Sequence, residues 1–383
     1  EYKDSQKDYW SEIFENVGGD VLEFDIVSDE TYIEAPVEYS DDWLFNHIRI
    51  WSVKLPNRKK TYSHTLLVDG DSLLKTAYFG AKNLYNKDVH IGGIFQFLTM
   101  LRKIIKEYRF DRVYVFWDGR FSGRLRYDIY KEYKSNRGKD FYNETPPSDP
   151  DLYIQKERVM SYCEELFIRQ YKDEVIEADD SIAYYVSKIK ENEKVVILSN
   201  DRDLCQLIDD RVGMYVLNLR TIVTKDNYLK YFDHHPTNLK LIKMISGDNS
   251  DNIKGIQGIS EKTIKKYFPE IVEKTLTLEN IISKIDTIQN ERKNRLKTLD
   301  NIINRVTVGV QGKDIYDINE KLINLKNPLL TESSKEELDY LFETTIDPEG
   351  REVKNVINMM IEDGLMMALP GGRDGYINFL QPF

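Results

Sequence analysis

The chain has 383 residues, 41% of them hydrophobic, and a net charge of −11. That length suits one large domain or two with a real core, and no apolar run reaches the roughly 18 residues of a transmembrane helix. Cys163 and Cys205 make no metal or disulfide pattern and read as reduced thiols of an intracellular protein.

Residues 1–47 hold 14 Asp and Glu against Lys3 and Lys7, a local −12 that leaves the remainder near +1. Residues 1–62 read as an acidic, aromatic-rich extension, with strand-like alternation from Ile48 to Val53. The chain begins at Glu1 without a signal-peptide pattern, from which a trimmed or processed start is expected.

From Thr65 the pattern alternates between strand and helix. Short apolar runs of about 4 to 8 residues are what buried parallel strands look like. Four such segments end in acids: Thr65–Asp69, Val113–Asp118, Val175–Asp180 and Val195–Asp203. Helices are predicted over Ile94–Tyr108, about 151–170, and Asp179–Ile189, and a further strand over Met214–Leu217. Between them lie a basic segment at 120–150 and a break at Pro146-Pro147-Ser148-Asp149-Pro150. This predicts an α/β domain at 63–235, with a mostly parallel central sheet and helices on both faces. Beyond it, a helical region at 236–383 is expected, with helices at Asn238–Ser246, Glu261–Phe268 and within 277–306, and a glycine-containing tail from Gly364.

Function in open α/β sheets gathers at the carboxyl ends of the strands. Asp69 and Asp118 close two strands there. Glu177, Asp179 and Asp180 lie within four residues, Asp201 and Asp203 follow another strand, and Asp248 and Asp251 fall in Gly247-Asp248-Asn249-Ser250-Asp251-Asn252. A lone Asp after a strand is ordinarily a helix N-cap. Four clusters in one unit point instead to a shared oxygen-ligand site for Mg²⁺ or Mn²⁺. Two such ions about 4 Å apart would activate water and stabilise the leaving oxygen of a phosphodiester.

Residues 120–139 carry Arg120, Arg124, Arg126, Lys131, Lys134, Arg137 and Lys139 against Asp128 and Glu132, a local +5, with Phe121, Tyr127, Tyr130 and Tyr133 interleaved. Cations mixed with aromatics suit phosphates and stacked bases. The turn Gly255-Ile256-Gln257-Gly258-Ile259-Ser260, read as a hairpin between helices, offers free N–H groups to a phosphate, with Lys262, Lys265 and Lys266 beside it.

Several motifs occur in order: Leu67-Val68-Asp69-Gly70, Phe116-Trp117-Asp118-Gly119, Glu132-Tyr133-Lys134-Ser135-Asn136-Arg137, Glu177-Ala178-Asp179-Asp180, Ser199-Asn200-Asp201-Arg202-Asp203 and Gly247-Asp248-Asn249-Ser250-Asp251-Asn252-Ile253. The set resembles the 5′-nuclease (flap endonuclease) superfamily over about residues 65–270, and within it the phage ribonuclease H type that removes RNA primers. The resemblance implies a PIN-like fold and a helix–three-turn–helix element at 255–260 that grips duplex DNA and binds K⁺ through main-chain carbonyls. It implies Asp69, Asp118 and Asp179 at one metal, with Glu177 and Asp180 nearby, and Asp201, Asp203, Asp248 and Asp251 at a second. It implies Lys134 and Arg137 as catalytic cations, and DNA contacts from Arg120, Arg124, Arg126, Lys131, Tyr133, Lys139, Gly255, Gly258, Ser260, Lys262, Lys265 and Lys266. The substrate would be a 5′ flap, branched or nicked duplex, or an RNA–DNA hybrid.

The short stretch from Lys134 to Glu177 departs from the family and implies an open or partly disordered arch. Residues 1–62 have no family counterpart. They read as a solvated appendage, or as a cover for the DNA groove or a dock for a single-stranded-DNA-binding or other replication protein. A monomer in the cytoplasm, in a phage-infected host, fits the resemblance. Two other readings compete. Asp69-Gly70-Asp71-Ser72 is similar to the nucleophile motif of haloacid-dehalogenase-type phosphatases, and a catalytically silent branched-DNA-binding protein would share the same surface.

Overall fold

The computed structural model describes residues 63–144, 146–307, 314–346, 352–369, 371 and 375–383; the acidic extension and the alternation from Ile48 to Val53 lie outside them. Strand β1 (Ser63–Asp69) is the centre of the fold. Its apolar run is buried on both faces: Leu66 and Val68 enter one core and Leu67 the other. The strand ends where the Asp69 carboxylate accepts the Ser72 N–H at 3.0 Å and starts helix α1 (Gly70–Gly80). Gly70 is required there, because a Cβ would lie 2.4 Å from the Trp117 ring.

A small antiparallel hairpin, β2 (Tyr85–Asn86) and β3 (Val89–His90), leads to helix α2 (Gly92–Tyr108), whose Ile94, Phe97, Leu98, Leu101 and Ile104 face the first core. Strand β4 (Arg112–Asp118), the short helix α3 (Arg124–Ile129) and helix α4 (Pro150–Glu165) follow. Asp149 caps α4, with Pro150 in its first turn.

The next strand corrects the sequence reading. Strand β5 is Arg169–Asp173, not Val175–Asp180. Its residues, Arg-Gln-Tyr-Lys-Asp, are polar because it is the sheet's edge and none of them is fully buried. Asp173 then accepts the N–H groups of Val175 and Ile176 at 2.7 and 2.9 Å, turning the chain so that Glu177 precedes helix α5 (Ala178–Ser187). Strands β6 (Glu193–Ser199), β7 (Val212–Val216) and β8 (Thr221–Val223) complete a six-stranded sheet in the order β5-β4-β1-β6-β7-β8. All its pairs are parallel except β7 with β8. The chain winds outward from β1 in both directions, so the crevice at the carboxyl ends of β4, β1 and β6 is the switch point where such sheets bind ligands.

Helices α6 (Leu239–Ser246), α7 (Glu261–Tyr267), α8 (Leu278–Asn290), α9 (Lys297–Ile303) and the start of α10 (Ile315–Ile323) share a separate core built on Ile245, Ile264, Phe268, Ile285, Leu299 and Ile302. The rest of the chain returns to the sheet domain. Helix α11 (Glu332–Glu343) brings Leu338 and Phe342 to the second core. Helix α12 (Val353–Glu362) packs on α4, and helix α13 (Tyr376–Leu380) lies on α2, where Arg102 Nε donates to the Phe379 carbonyl at 2.8 Å.

Candidate active site

Asp69 sits at the tip of the central strand, where Ser199 Oγ, at the end of β6, donates to its Oδ2 at 2.7 Å. Burial pushes its carboxyl up to about 7, with Asp118 and Asp71 adding to the rise. Asp118, one strand over, accepts the Ala178 N–H at 2.9 Å, which ties the end of β4 to the start of α5. Burial raises its pKa too, aided by Asp71 and Glu177. Asp179 lies on the first turn of α5 and makes no side-chain hydrogen bond or ion pair among the described residues. Burial and then Asp201, Asp69, Asp118 and Glu177 hold its carboxyl well above the usual range. These acids thus share one edge and repel one another, the electrostatic condition that a hard cation relieves.

Glu177 is the opposite case. Burial alone would raise its pKa, but the Lys134 ammonium and Arg126 guanidinium outweigh it and hold the carboxyl at about 2. Arg126 Nη1 donates to it at 2.7 Å, Lys134 Nζ is in direct contact, and the Tyr133 hydroxyl lies 2.9 Å from Oε2. Lys134 is only 14% exposed at its side chain, and although that burial disfavours the ammonium, Glu177, Asp251 and Asp118 keep its pKa above the ordinary lysine value.

A second acidic group surrounds Lys243 of α6, a residue that sequence reasoning missed. Its ammonium contacts Asp203 and donates to Asp248 at 2.6 Å. Burial lifts Asp203 to about 6 against the pull of Lys243, whereas Lys243 and the Ser250 donors bring Asp248 below its ordinary value despite burial. Asp201 is exposed and accepts the Asp203 N–H at 2.8 Å. Asp248 lies in, and Asp251 in the turn of, a small hairpin of two-residue strands, β9 (Gly247–Asp248) with β10 (Ile253–Lys254), just ahead of the 255–260 turn.

Among the described residues, no three acidic, His or Cys side chains converge into a ready-made metal cage. The donors form an open acidic edge interleaved with lysines. Mg²⁺ uses such an edge, since it keeps waters and takes only one or two carboxylates together with substrate phosphates.

Three expected site residues are corrected. Arg126 is not a DNA contact: it is 6% exposed and donates to both oxygens of Asp180, to Glu177 and to the Leu322 carbonyl. Asp180 is 1% exposed and closed off by that fork and by the Leu329 N–H, so it faces arginine rather than a metal. Tyr133 is 1% exposed and packs with Phe141, Ile253, Leu322 and Ile323 instead of offering a stacking face. The same small core explains a fourth difference. The basic segment is not an open arch: Tyr127 stacks on Phe141 at 4.8 Å, and the 132–137 loop docks on the hairpin through Asn252 Nδ2 to the Glu132 carbonyl at 2.8 Å.

Arg137 Nη2 donates to Asp251 at 2.6 Å with about half its side chain exposed. Lys139 is held by the Ser122 carbonyl and hydroxyl at 2.7 and 2.9 Å. Arg120 and Lys131 are exposed and pair with Glu144 and Asp128, and Arg124 lies over the Tyr142 ring. In the second basic surface Lys262 and Lys266 are exposed, and Lys265 is held by Asp233 and Glu261. Gly258 takes φ +80, and a Cβ at Gly255 would lie 2.0 Å from the Ser246 carbonyl carbon. Ser260 caps α7 by accepting the Thr263 N–H at 3.3 Å. The main-chain carbonyls of Gly255 and Gln257 accept Thr307 Oγ1 and Asn301 Nδ2.

The family described as 5′-3′ exonuclease, N-terminal resolvase-like domain, matches residues 64–233. The 5′-3′ exonuclease of Mycoplasmopsis pulmonis is 31% identical over 228 residues, which span 57% of this chain and 72% of that protein. The chain belongs to the 5′-3′ exonuclease family. The 5′-3′ exonuclease of Buchnera aphidicola subsp. Schizaphis graminum is 30% identical over 228 residues, 59% of this chain and 75% of that one. The fold agrees with this nuclease family: the bacteriophage T5 flap endonuclease, solved in a complex with DNA and metal ions, superposes with a TM-score of 0.54 at 18% identity, over 79% of this chain and 99% of that one. The phosphatase reading finds no support in the geometry. Asp71, its required acid/base, is engaged by Lys156 and the Asp118 N–H.

Proposed function

We propose that this 5′-3′ nuclease is divalent-metal-dependent and structure-specific, cutting a phosphodiester near the 5′ end of a flapped, branched or nicked duplex during replication or repair. The observation that supports it most is the mutual repulsion of Asp69, Asp118 and Asp179 at the carboxyl edge of the sheet. They would line the site of one Mg²⁺ or Mn²⁺, some of them through its bound waters and with Glu177 nearby, and Asp201, Asp203, Asp248 and Asp251 that of a second. Two bound ions would neutralise phosphate charge and lower the pKa of the attacking water.

The chain's own groups do the rest. Lys134 keeps its proton and places positive charge beside the acidic edge, where the charge of a phosphate in transit develops. Arg137 adds a second, more exposed cation. Arg126 holds Glu177 in place from beneath. Arg120, Arg124 and Lys131 would guide the 5′ strand, and Lys262 and Lys266 the duplex backbone, while the turn at 255–260 would take K⁺ through its main-chain carbonyls.

RNA–DNA hybrids fall within the proposed substrate range, and the acidic extension is the proposed dock for another replication protein. No helix among the described residues is long and apolar enough to cross a membrane; an intracellular monomer, in a phage-infected host, is part of the same proposal.

The test is cleavage of a 5′-end-labelled flap and of an RNA-primed duplex, each with Mg²⁺ and with EDTA. Mg²⁺-dependent products at the junction or 5′ end support the proposal, and their lengths separate flap cutting from exonucleolysis. Binding without cleavage in either metal would favour the silent DNA-binding reading.

A further inference from the structure

Beneath the acidic edge lies an ion pair that neither the metal reading nor the DNA reading uses. Lys156, on α4, is 8% exposed. Its ammonium donates to Asp71 Oδ1 and Oδ2 at 2.9 and 2.8 Å and to the Asp118 carbonyl at 2.8 Å, which occupies all three of its donors. Asp71 Oδ2 also accepts the Asp118 N–H at 2.8 Å. One ion pair therefore holds both main-chain polar groups of Asp118, on either side of its Cα.

We propose that Asp71 and Lys156 form a positioning pair that sets the Asp118 carboxylate for metal binding. The inference rests on the reading of Asp118 as a metal ligand.

The strand end needs such a device. At Gly119, the next residue, a Cβ would fall 2.0 Å from the Asp173 carbonyl, so the chain leaves β4 hard against the end of β5. Trp117, just before Asp118, lies under the Lys156 ammonium, 5.4 Å from its ring centroid. On the side-chain side, the Ala178 N–H takes one carboxylate oxygen. With its main chain clamped and one oxygen anchored, Asp118 presents the other in a single direction. Well-packed apolar residues stabilise a buried site as well as an ion pair does, but they cannot donate to one side of residue 118 and accept from the other.

The test compares Lys156→Met, Lys156→Gln, the double variant Asp71→Asn/Lys156→Met, and Asp118→Asn in the full chain. The readouts are thermal melting, kcat and KM on a 5′-labelled duplex, and the Mg²⁺ concentration giving half the maximal rate. Lys156→Met should lower kcat by about ten-fold or more and raise the Mg²⁺ requirement, with KM for DNA changed less than about two-fold. The double variant has no unpaired buried charge. It should melt close to wild type yet keep the kinetic defect. Lys156→Gln retains a donor for the Asp118 carbonyl and should recover part of the rate.

A double variant with wild-type rate and Mg²⁺ dependence, or Gln no better than Met at equal melting temperature, overturns the positioning role. If Asp118→Asn is inactive in that case, the ligand reading stands and only the inference falls. If Asp118→Asn turns over normally, the ligand reading itself fails and takes the inference with it.

Discussion

Lys134 and Asp251 are joined twice: the Lys134 N–H donates to the Asp251 carbonyl at 2.9 Å, and its ammonium lies 4.0 Å from the Asp251 carboxylate. The main-chain bond fixes Lys134, in left-handed backbone at φ 51, against the hairpin that carries Asp248 and Asp251. The basic segment and the second acidic group are thereby one unit. Removing the ammonium should slow the reaction without loosening the loop. Lys134→Ala is expected to lower the single-turnover rate by about 10²-fold, with KM for DNA nearly unchanged. Equal losses in rate and affinity would make Lys134 a binding residue only.

Arg126 and the exposed lysines should separate cleanly. Arg126→Met leaves Asp180 buried without its cation and Glu177 with Lys134 alone, which should cost about 3–5 kcal/mol of stability, read by denaturant unfolding. The salt dependence of DNA binding by the fraction that stays folded should be unchanged. Lys262→Ala and Lys266→Ala should leave stability intact and each reduce the slope of log K against log salt by about 1. A reduced slope for Arg126→Met would restore it as a DNA contact.

If these acids hold the metal as proposed, metal and proton compete for them. Asp69 is held at about 7 and Asp203 at about 6, both above the ordinary aspartate value. A carboxyl with a raised folded pKa destabilises the fold when ionised, a penalty present above its folded pKa and relieved as pH falls through it. On the proposed reading, bound Mg²⁺ would relieve the same penalty in the ionised form. The rise in melting temperature on replacing EDTA with Mg²⁺ should therefore be larger near pH 8 than near pH 6. Glu177 runs the other way: its depressed pKa stabilises the fold and its contribution fades only as pH falls toward about 2. An Mg²⁺ effect that grows toward acid pH would contradict this picture.

How much of this was legible in the sequence depended on burial. Strands β1, β4 and β6 were plain because each is covered on both faces and reads as a continuous apolar run closed by a polar residue. Strand β5 was hidden because an edge strand of Arg, Gln, Tyr, Lys and Asp has no apolar run to find. The acidic residues were legible as a set because several follow strand ends. Which of them a cation already holds was not: Arg126 reaches partners 51 and 54 residues away, and nothing in its neighbourhood distinguishes it from the half-buried Arg124 of the same helix, which reaches none of them. Lys243 left one usable signal. It interrupts the apolar Leu241, Ile242, Met244 and Ile245 of α6, five residues before Asp248, where a lysine needs a carboxylate partner to be accommodated.

The most direct test of the acidic edge as the catalytic centre is Asp179→Asn, assayed for Mg²⁺-dependent cleavage and for binding of the same 5′-flap DNA. Asp179 has no partner among the described residues to lose, so the variant should fold and bind DNA as wild type does. Cleavage should fall by at least about 10³-fold. Normal cleavage by this variant would contradict the account, because the charges of Asp201, Asp69, Asp118 and Glu177 all act on the Asp179 carboxyl.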